Sequence, residues 1–181
     1  MEKIATPIKD VFILQPKVFG DSRGYFLEQY NKQVFNELIG SDIEFVQDNR
    51  SRSAAGVLRG LHYQISQPQA KLVSVSEGCI YDVVVDLRQS STTFGQSYGV
   101  ELSAENFTQL WVPEGMAHGF LVISDHAQVS YKTTDFYAPQ FERSIKWNDP
   151  ELDINWPLAG EPVLSEKDNQ AMPFNKAEYF S

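Results

Sequence analysis

The punctuation of this chain constrains its fold more than any other feature. Short runs rich in β-branched and aromatic residues recur between glycine, proline, asparagine and aspartate turn signals, at 11–14, 26–30, 43–47, 58–63, 72–76, 80–87, 98–102, 109–112, 120–123 and 129–133. One segment alone carries a helical period. The spacing predicts a short helix over 32–39, where Asn31 can cap the start, Val34, Phe35, Leu38 and Ile39 form one apolar stripe, and Gly40 suits the stop. One helix among about ten strands predicts an all-β sandwich or barrel. Beyond Pro150, prolines at 157, 162 and 173 and the lack of any period predict an ordered but irregular wrap.

Two of the strand runs carry polar residues whose faces follow from the two-residue period. In Arg59-Gly60-Leu61-His62-Tyr63-Gln64, alternation puts Arg59 and Leu61 on one side and Gly60, His62 and Gln64 on the other, mounting an imidazole on a stiff support. The chain has 3 histidines, at 62, 118 and 126. In the run from Tyr81 to Arg88, Tyr81, Val83, Val85 and Leu87 form a wholly apolar face, while Asp82, Val84, Asp86 and Arg88 form a mixed one. That is the pattern of a half-buried strand, on which the ordinary fate of Asp82 and Asp86 is solvent exposure. A strand histidine taken alone is more often structural than catalytic, and a tyrosine such as Tyr131 is ordinarily packed with its hydroxyl at a rim.

Composition narrows the class without naming an activity. The 181 residues, 42% hydrophobic, suffice for a single domain (1–181) with a full core. A net charge of −9 argues against nucleic acid, whose affinity comes from clustered lysine and arginine on phosphates. A diphosphate ligand remains compatible, since it needs only a few converging cations such as Arg23, Arg59, Lys71 and Lys167. Residues 1–12 lack a basic segment followed by an apolar core, and no apolar run approaches the ~20 residues that cross a bilayer, so no export signal or membrane anchor is expected. The single Cys79 can form neither an internal disulfide nor a cysteine metal site, which predicts a reducing cytoplasm and a small buried apolar role for Cys79 itself.

Nine blocks in fixed order extend the picture: Phe19-Gly20-Asp21-Ser22-Arg23-Gly24-Tyr25-Phe26-Leu27-Glu28, Gln47-Asp48-Asn49, the Arg59 to Gln64 run, Lys71, Asp82 to Arg88, Pro113-Glu114-Gly115-Met116-Ala117-His118-Gly119-Phe120, Tyr131 to Tyr137, Trp147-Asn148-Asp149-Pro150, and Leu164-Ser165-Glu166-Lys167-Asp168. Together they resemble the dTDP-4-dehydrorhamnose 3,5-epimerases, cupin-fold enzymes that invert two carbons of a nucleotide-linked 4-keto-6-deoxy sugar. The resemblance implies a cupin jelly roll, His62 as base with Asp168 behind it, Tyr131 as proton donor, and Lys71 at the enolate oxygen. It implies that Tyr137 stacks on thymine and that Arg23, Glu28, Gln47, Asp48, Asn49, Arg59, Lys71, His118, Glu142 and Lys167 contact substrate. At least one of Asp82 and Asp86 is then expected to face the pocket, where it could orient His62. No metal or organic cofactor is implied. The implied partners are a second copy of the chain, with exchanged N-terminal strands that carry Arg23 to the partner subunit's nucleotide, and a dTDP-4-dehydrorhamnose reductase that consumes the product.

The residue types suit that chemistry. A ketone at C4 acidifies the hydrogens at C3 and C5, so a base can take each proton and leave an enolate, and a proton returned from the opposite face inverts the centre. Such an enzyme needs a base on one face, an acid on the other, and a cation at the enolate oxygen. An imidazole, which ordinarily titrates near ~6.5 and is tuned by a carboxylate on its other nitrogen, suits the base. A metal-dependent cupin, the rival within the fold, would want a His-x-His pair, and the position two after His62 is Gln64. A non-catalytic sugar-binding cupin has no use for His62, Lys71, Tyr131 and Asp168 together. A single-carbon epimerase would carry the same residues, so the sequence leaves that alternative open.

Overall fold

The turn-punctuated runs pair antiparallel into two facing sheets and a separate hairpin, in a computed structural model that describes residues 1–181. In chain order the strands are β1 (Glu2–Ala5), β2 (Phe12–Gln15), β3 (Val18–Asp21), β4 (Gly24–Leu27), β5 (Gln47–Ala54), β6 (Leu58–Gln64), β7 (Lys71–Glu77), β8 (Cys79–Asp86), β9 (Ser97–Ser103), β10 (Gln109–Val112), β11 (Met116–Val122), β12 (His126–Thr133) and β13 (Glu142–Ser144). Helix α1 (Lys32–Ile39) precedes β5, and the one-turn helix α2 (Glu166–Asn169) lies in the C-terminal segment. One sheet has the order β1-β2-β10-β7-β12-β5, the other β13-β6-β11-β8-β9, and β3-β4 stands apart. Interleaving early and late strands in both sheets makes this a cupin-type jelly roll.

The second sheet packs on both faces and the first on its inner face and, beneath α1, on part of its outer one, which produces three packed layers. Between the sheets, Val73, Val75, Leu110, Val112 and Val129 meet Ile80, Val84, Leu102, Met116 and Phe120. Outside the first sheet, Leu14, Leu72 and Trp111 lie under Phe35 of α1, whose ring meets Trp111 edge-on at a centroid distance of 5.2 Å. Burying that phenylalanine contributes roughly 1.5–3 kcal/mol. Local signals set the ends of α1 where the sequence predicts them: the Asn31 side chain accepts from the amides of Gln33 and Val34, and Gly40 takes φ 81°. Outside the second sheet, Leu58, Leu61, Val83, Val85 and Leu87 are covered by Leu152, Trp156 and Phe174. The tail is therefore the irregular wrap expected from its prolines, held by bridges at Val57–Val163, Ile145–Met172 and Arg88–Phe180.

Several expectations need correction. Residues 43–46 form no strand, because Ile43 and Phe45 pack beneath α1 and pairing begins at Gln47. Strands β1, β3 and β13, and β5 beyond Gln47, were not expected from the sequence; β1 and β3 are exposed throughout, β13 is only partly buried and β5 is polar along nearly its whole length, so none carries an alternating apolar pattern. Strand β8 is buried on both faces, and Asp82 and Asp86 are fully buried rather than solvent-exposed. Cys79 is partly exposed.

Candidate active site

A cavity of about 190 Å³ opens between the sheets, lined from β6 by Arg59, His62 and Gln64, from β7 by Lys71, from β11 by His118 and from β12 by Tyr131. Strict alternation would have sent Arg59 away from His62. The ladder shows why it does not: His62 pairs with His118 while Arg59 pairs with Phe120, so β6 spends one more residue than β11 and bulges between them. The bulge needs two backbones in close approach, since a Cβ on Gly60 would lie 2.6 Å from the Gly119 Cα, and Gly60 sits at φ 121°. Arg59 and His62 thus share the cavity while Leu61 joins the outer core.

The setting of His62 is built by the C-terminal wrap. Nε2 of His62 is held in a short contact by Oδ1 of Asp168, a residue only 4% exposed. Ser165 caps α2 by accepting from the Asp168 amide at 3.1 Å, and its hydroxyl donates to Oδ2 of Asp168 at 2.7 Å. Burial pushes the Asp168 carboxyl upward, but the bonds and charge from His62, with those from Ser165 and the Gly60 amide, outweigh it and hold it below the usual carboxylate range. A carboxylate on Nε2 fixes the orientation of the ring and, in a neutral imidazole, leaves the lone pair on Nδ1.

The opposing wall carries the other groups. Lys71 is buried, and burial pushes its ammonium down to about 8 although Asp82 and Glu142 pull it back up. Burial raises the Tyr131 phenol, partly offset by Arg59, so it keeps its proton at neutral pH. At the rim, Glu142 accepts from the Tyr137 hydroxyl at 2.8 Å and is ion-paired with Lys167. Burial would raise the Glu142 carboxyl, but Lys167, Tyr137 and His62 together lower it. The backbone amide of Tyr137 donates to Gln47, whose own amide donates to Asn49 at 2.9 Å, leaving the Tyr137 ring 54% exposed as a flat platform. Chemically, this is a nitrogen base and a phenolic acid on facing sheets, with a buried ammonium beside the acid.

Comparison with known proteins decides what kind of site this is. The sequence pattern described as dTDP-4-dehydrorhamnose 3,5-epimerase matches residues 5–176. A protein of that description from Pseudomonas aeruginosa is 57% identical over 180 residues, covering 99% of each chain. The chain belongs to the dTDP-4-dehydrorhamnose 3,5-epimerase family. Among solved structures of this epimerase family, a dTDP-6-deoxy-D-glucose-3,5-epimerase from Legionella pneumophila, in complex with dTDP-4-keto-L-rhamnose, matches with a TM-score of 0.95 at 50% identity, covering 98% of this chain and 94% of that one. The dTDP-4-dehydrorhamnose 3,5-epimerase from Elizabethkingia anophelis matches at 0.94 and 52%, covering 99% of both chains. The protein is therefore an isomerase.

Within this epimerase, the structure gathers most of the expected residues and leaves some apart. Arg59, His62, Lys71, His118, Tyr131, Tyr137 and Glu142 line the cavity, and Asp168, Lys167, Gln47 and Asn49 bond directly or through one side chain to that set. Arg23 does not reach it: its side chain is 88% exposed on the β3-β4 hairpin and pairs with Asp21. Glu28 accepts from the Asn31 side chain, and Asp48 pairs with Lys132 at 2.9 Å. Neither Asp82 nor Asp86 orients His62. Asp82 accepts from Nε2 of His118 at 2.8 Å, and Asp86 is clasped by Arg88, Ser91 and Thr93. Sequence reasoning missed three more contributors. Gln64 donates to the Gln67 and Phe136 carbonyls and accepts from the Ala138 amide, which pins the loop that presents Tyr137. Phe180 lines the cavity through its bridge to Arg88, and Ser51 brings a buried hydroxyl with no protein partner. For Ser51 a signal existed, since it shares the parity of Gln47 and Asn49 along β5.

Proposed function

We propose that this enzyme converts dTDP-4-dehydro-6-deoxy-D-glucose to dTDP-4-dehydro-L-rhamnose by epimerisation at C3 and C5, without metal or organic cofactor. The observation that carries the mechanism is the placement of His62 and Tyr131 on facing sheets, so that a sugar ring between them meets a base on one face and an acid on the other. Nδ1 of His62 takes the proton from C3, and the resulting imidazolium is stabilised by Asp168. The C4 oxygen gains charge beside the Lys71 ammonium, where burial makes the interaction stronger than in water. Tyr131 returns a proton to the far face; His62 then releases its proton to solvent and the tyrosinate regains one, and the reset pair repeats the cycle at C5. Tyr137 supplies the flat surface for the thymine, and Arg59, His118, Glu142 and Lys167, with Gln47 and Asn49 behind Tyr137, hold the remainder of the nucleotide sugar.

Arg23 acts, in this reading, through a homodimer. The β3-β4 hairpin projects Phe19, Tyr25 and Phe26, which are 54%, 64% and 70% exposed, beside Arg23. An exposed aromatic hairpin that carries Arg23 away from its own cavity, paired only with the neighbouring Asp21, supports its reaching the partner subunit's nucleotide. The enzyme works in the cytoplasm, and a dTDP-4-dehydrorhamnose reductase consumes its product in making dTDP-L-rhamnose. No helix is long and apolar enough to cross a membrane. The test supplies dTDP-4-keto-6-deoxyglucose with a 4-ketoreductase and NADPH. The reading expects dTDP-L-rhamnose; a product inverted at one carbon only, or none, refutes it.

A further inference from the structure

Two histidine–carboxylate pairs stand side by side across the β6-β11 ladder, and the chemistry above uses only one of them as a base. His118 lies directly opposite His62, and each imidazole gives Nε2 to a buried carboxylate, His62 to Asp168 and His118 to Asp82. Asp82 is fully buried, and both of its oxygens take the same His118 nitrogen, at 2.8 and 3.0 Å. No lysine or arginine pairs with it. A buried carboxylate held by one imidazole is poorly compensated, and the cation within its electrostatic reach is the equally buried Lys71. Glu142 also acts on Lys71, but its own charge is engaged by Lys167 and Tyr137. The other ionisable groups lining the cavity are Arg59, His62, Tyr63, Tyr131 and Tyr137, none of which brings a carboxylate to hold an ammonium.

We propose that Asp82 is a positioning residue for enolate formation: it fixes His118 with Nδ1 turned to the cavity and keeps the Lys71 ammonium charged, so that Lys71 and His118 polarise the C4 oxygen as one unit, separate from the His62–Asp168 base. Asp82 touches no substrate in this arrangement. Its carboxylate acts through His118 by hydrogen bonding and through Lys71 by its field. The proposal rests on the enolate chemistry proposed above, and its primary test does not need turnover.

That test is an NMR titration of the lysine side chains in the free protein, with Lys71 identified by its absence from the Lys71→Met spectrum. In the unmutated protein Lys71 should titrate near about 8. In the isosteric Asp82→Asn it should titrate about one unit lower or more, because one of its two offsetting anions is gone. The alkaline limb of kcat/KM should move down with it, whereas Asp168→Asn leaves both midpoints in place. An unmoved Lys71 midpoint in folded Asp82→Asn overturns the proposal. A second measurement covers an Asp82 variant that fails to fold: nitrogen NMR of the unmutated protein should find neutral His118 protonated on Nε2, and the Nδ1–H tautomer overturns the proposal. An inactive protein with the predicted Lys71 shift would strike the epimerase reading and leave the role of Asp82 standing.

Discussion

The buried ammonium of Lys71 makes a prediction whose size follows from its surroundings. Removing the lysine from water favours the neutral amine, the charges of Asp82 and Glu142 resist, and the balance leaves the group titrating at about 8. A lysine whose pKa is lowered is charged below that value and loses its proton as pH rises through it. Since the enolate oxygen needs the charged form, kcat/KM should fall as pH rises through about 8. The charged fraction drops from about 0.9 at pH 7 to about 0.1 at pH 9, so the loss across that interval is about tenfold. Tyr131 does not confuse the reading, because burial raises its phenol and it stays protonated through this range. The informative perturbation is Lys71→Arg, whose guanidinium stays charged beyond pH ~12. Its absolute rate should fall, because a planar fork fits a lysine site poorly, but the alkaline limb should vanish. Lys71→Met removes the charge at every pH and should cost ~10²–10³ in kcat at pH 7. Initial rates in the reductase-coupled assay, with the coupling enzyme in excess at each pH, supply the profile. An alkaline limb in Lys71→Arg with its midpoint unchanged refutes the assignment.

Other consequences follow from the same geometry. His62→Asn should preserve the fold and abolish solvent deuterium uptake at both C3 and C5, whereas Asp168→Asn should slow uptake by less, because the imidazole and its Ser165-capped neighbour remain; equal losses in the two variants contradict the division of labour. The Asp86 carboxyl, which burial would raise, is instead lowered to about 2 by bonds from Arg88, Ser91 and Thr93. Against ~3.9 in an unfolded chain this difference is worth ~2.6 kcal/mol. A depressed folded pKa stabilises above the unfolded value and loses that effect as pH falls from ~3.9 toward 2. Asp86→Asn should therefore lower Tm by ~5–10 °C at pH 7 and by progressively less below pH 4; a deficit independent of pH speaks against it. Exhaustive chelation should leave turnover unchanged, because the position a cupin would need for a second histidine ligand holds Gln64, whose amide is spent on the Tyr137 loop; activity lost to chelator and restored by one divalent ion contradicts this.

What could be read from the sequence was what short-range physics controls. The bounds of α1 follow from one capping asparagine, one glycine and an apolar stripe, all within ten residues, and the structure keeps them. The parity of β8 correctly grouped Asp82 with Asp86, yet exposure was the wrong inference, because the second layer over that strand comes from residues far along the chain. Arg59 was put on the wrong face because the bulge beside it is enforced by Gly119 on a different strand. The link from His62 to Asp168 spans 106 positions and has no periodic signature, so only the family resemblance made it legible. Pairing of His118 with Asp82 needed the β8-β11 register, which no local pattern encodes. Arg23 could be recognised as a candidate cation but not placed, since the hairpin carrying it makes no contact with its own cavity.

The central claim is that His62 and Tyr131 act from opposite faces of the sugar, and one variant separates their roles. Tyr131→Phe keeps the ring, the packing and the His62–Asp168 pair, and removes only the proton that completes inversion. Enolate can still form, and His62 can return a proton only to the face it came from, after exchange with solvent. Mass spectrometry of the recovered substrate and product in deuterated water measures both events together. The account predicts continued deuterium uptake with inversion reduced by ~10²-fold or more. Uptake and inversion falling in equal proportion, in a folded variant that still binds dTDP, would contradict it and return Tyr131 to the role of a packed aromatic.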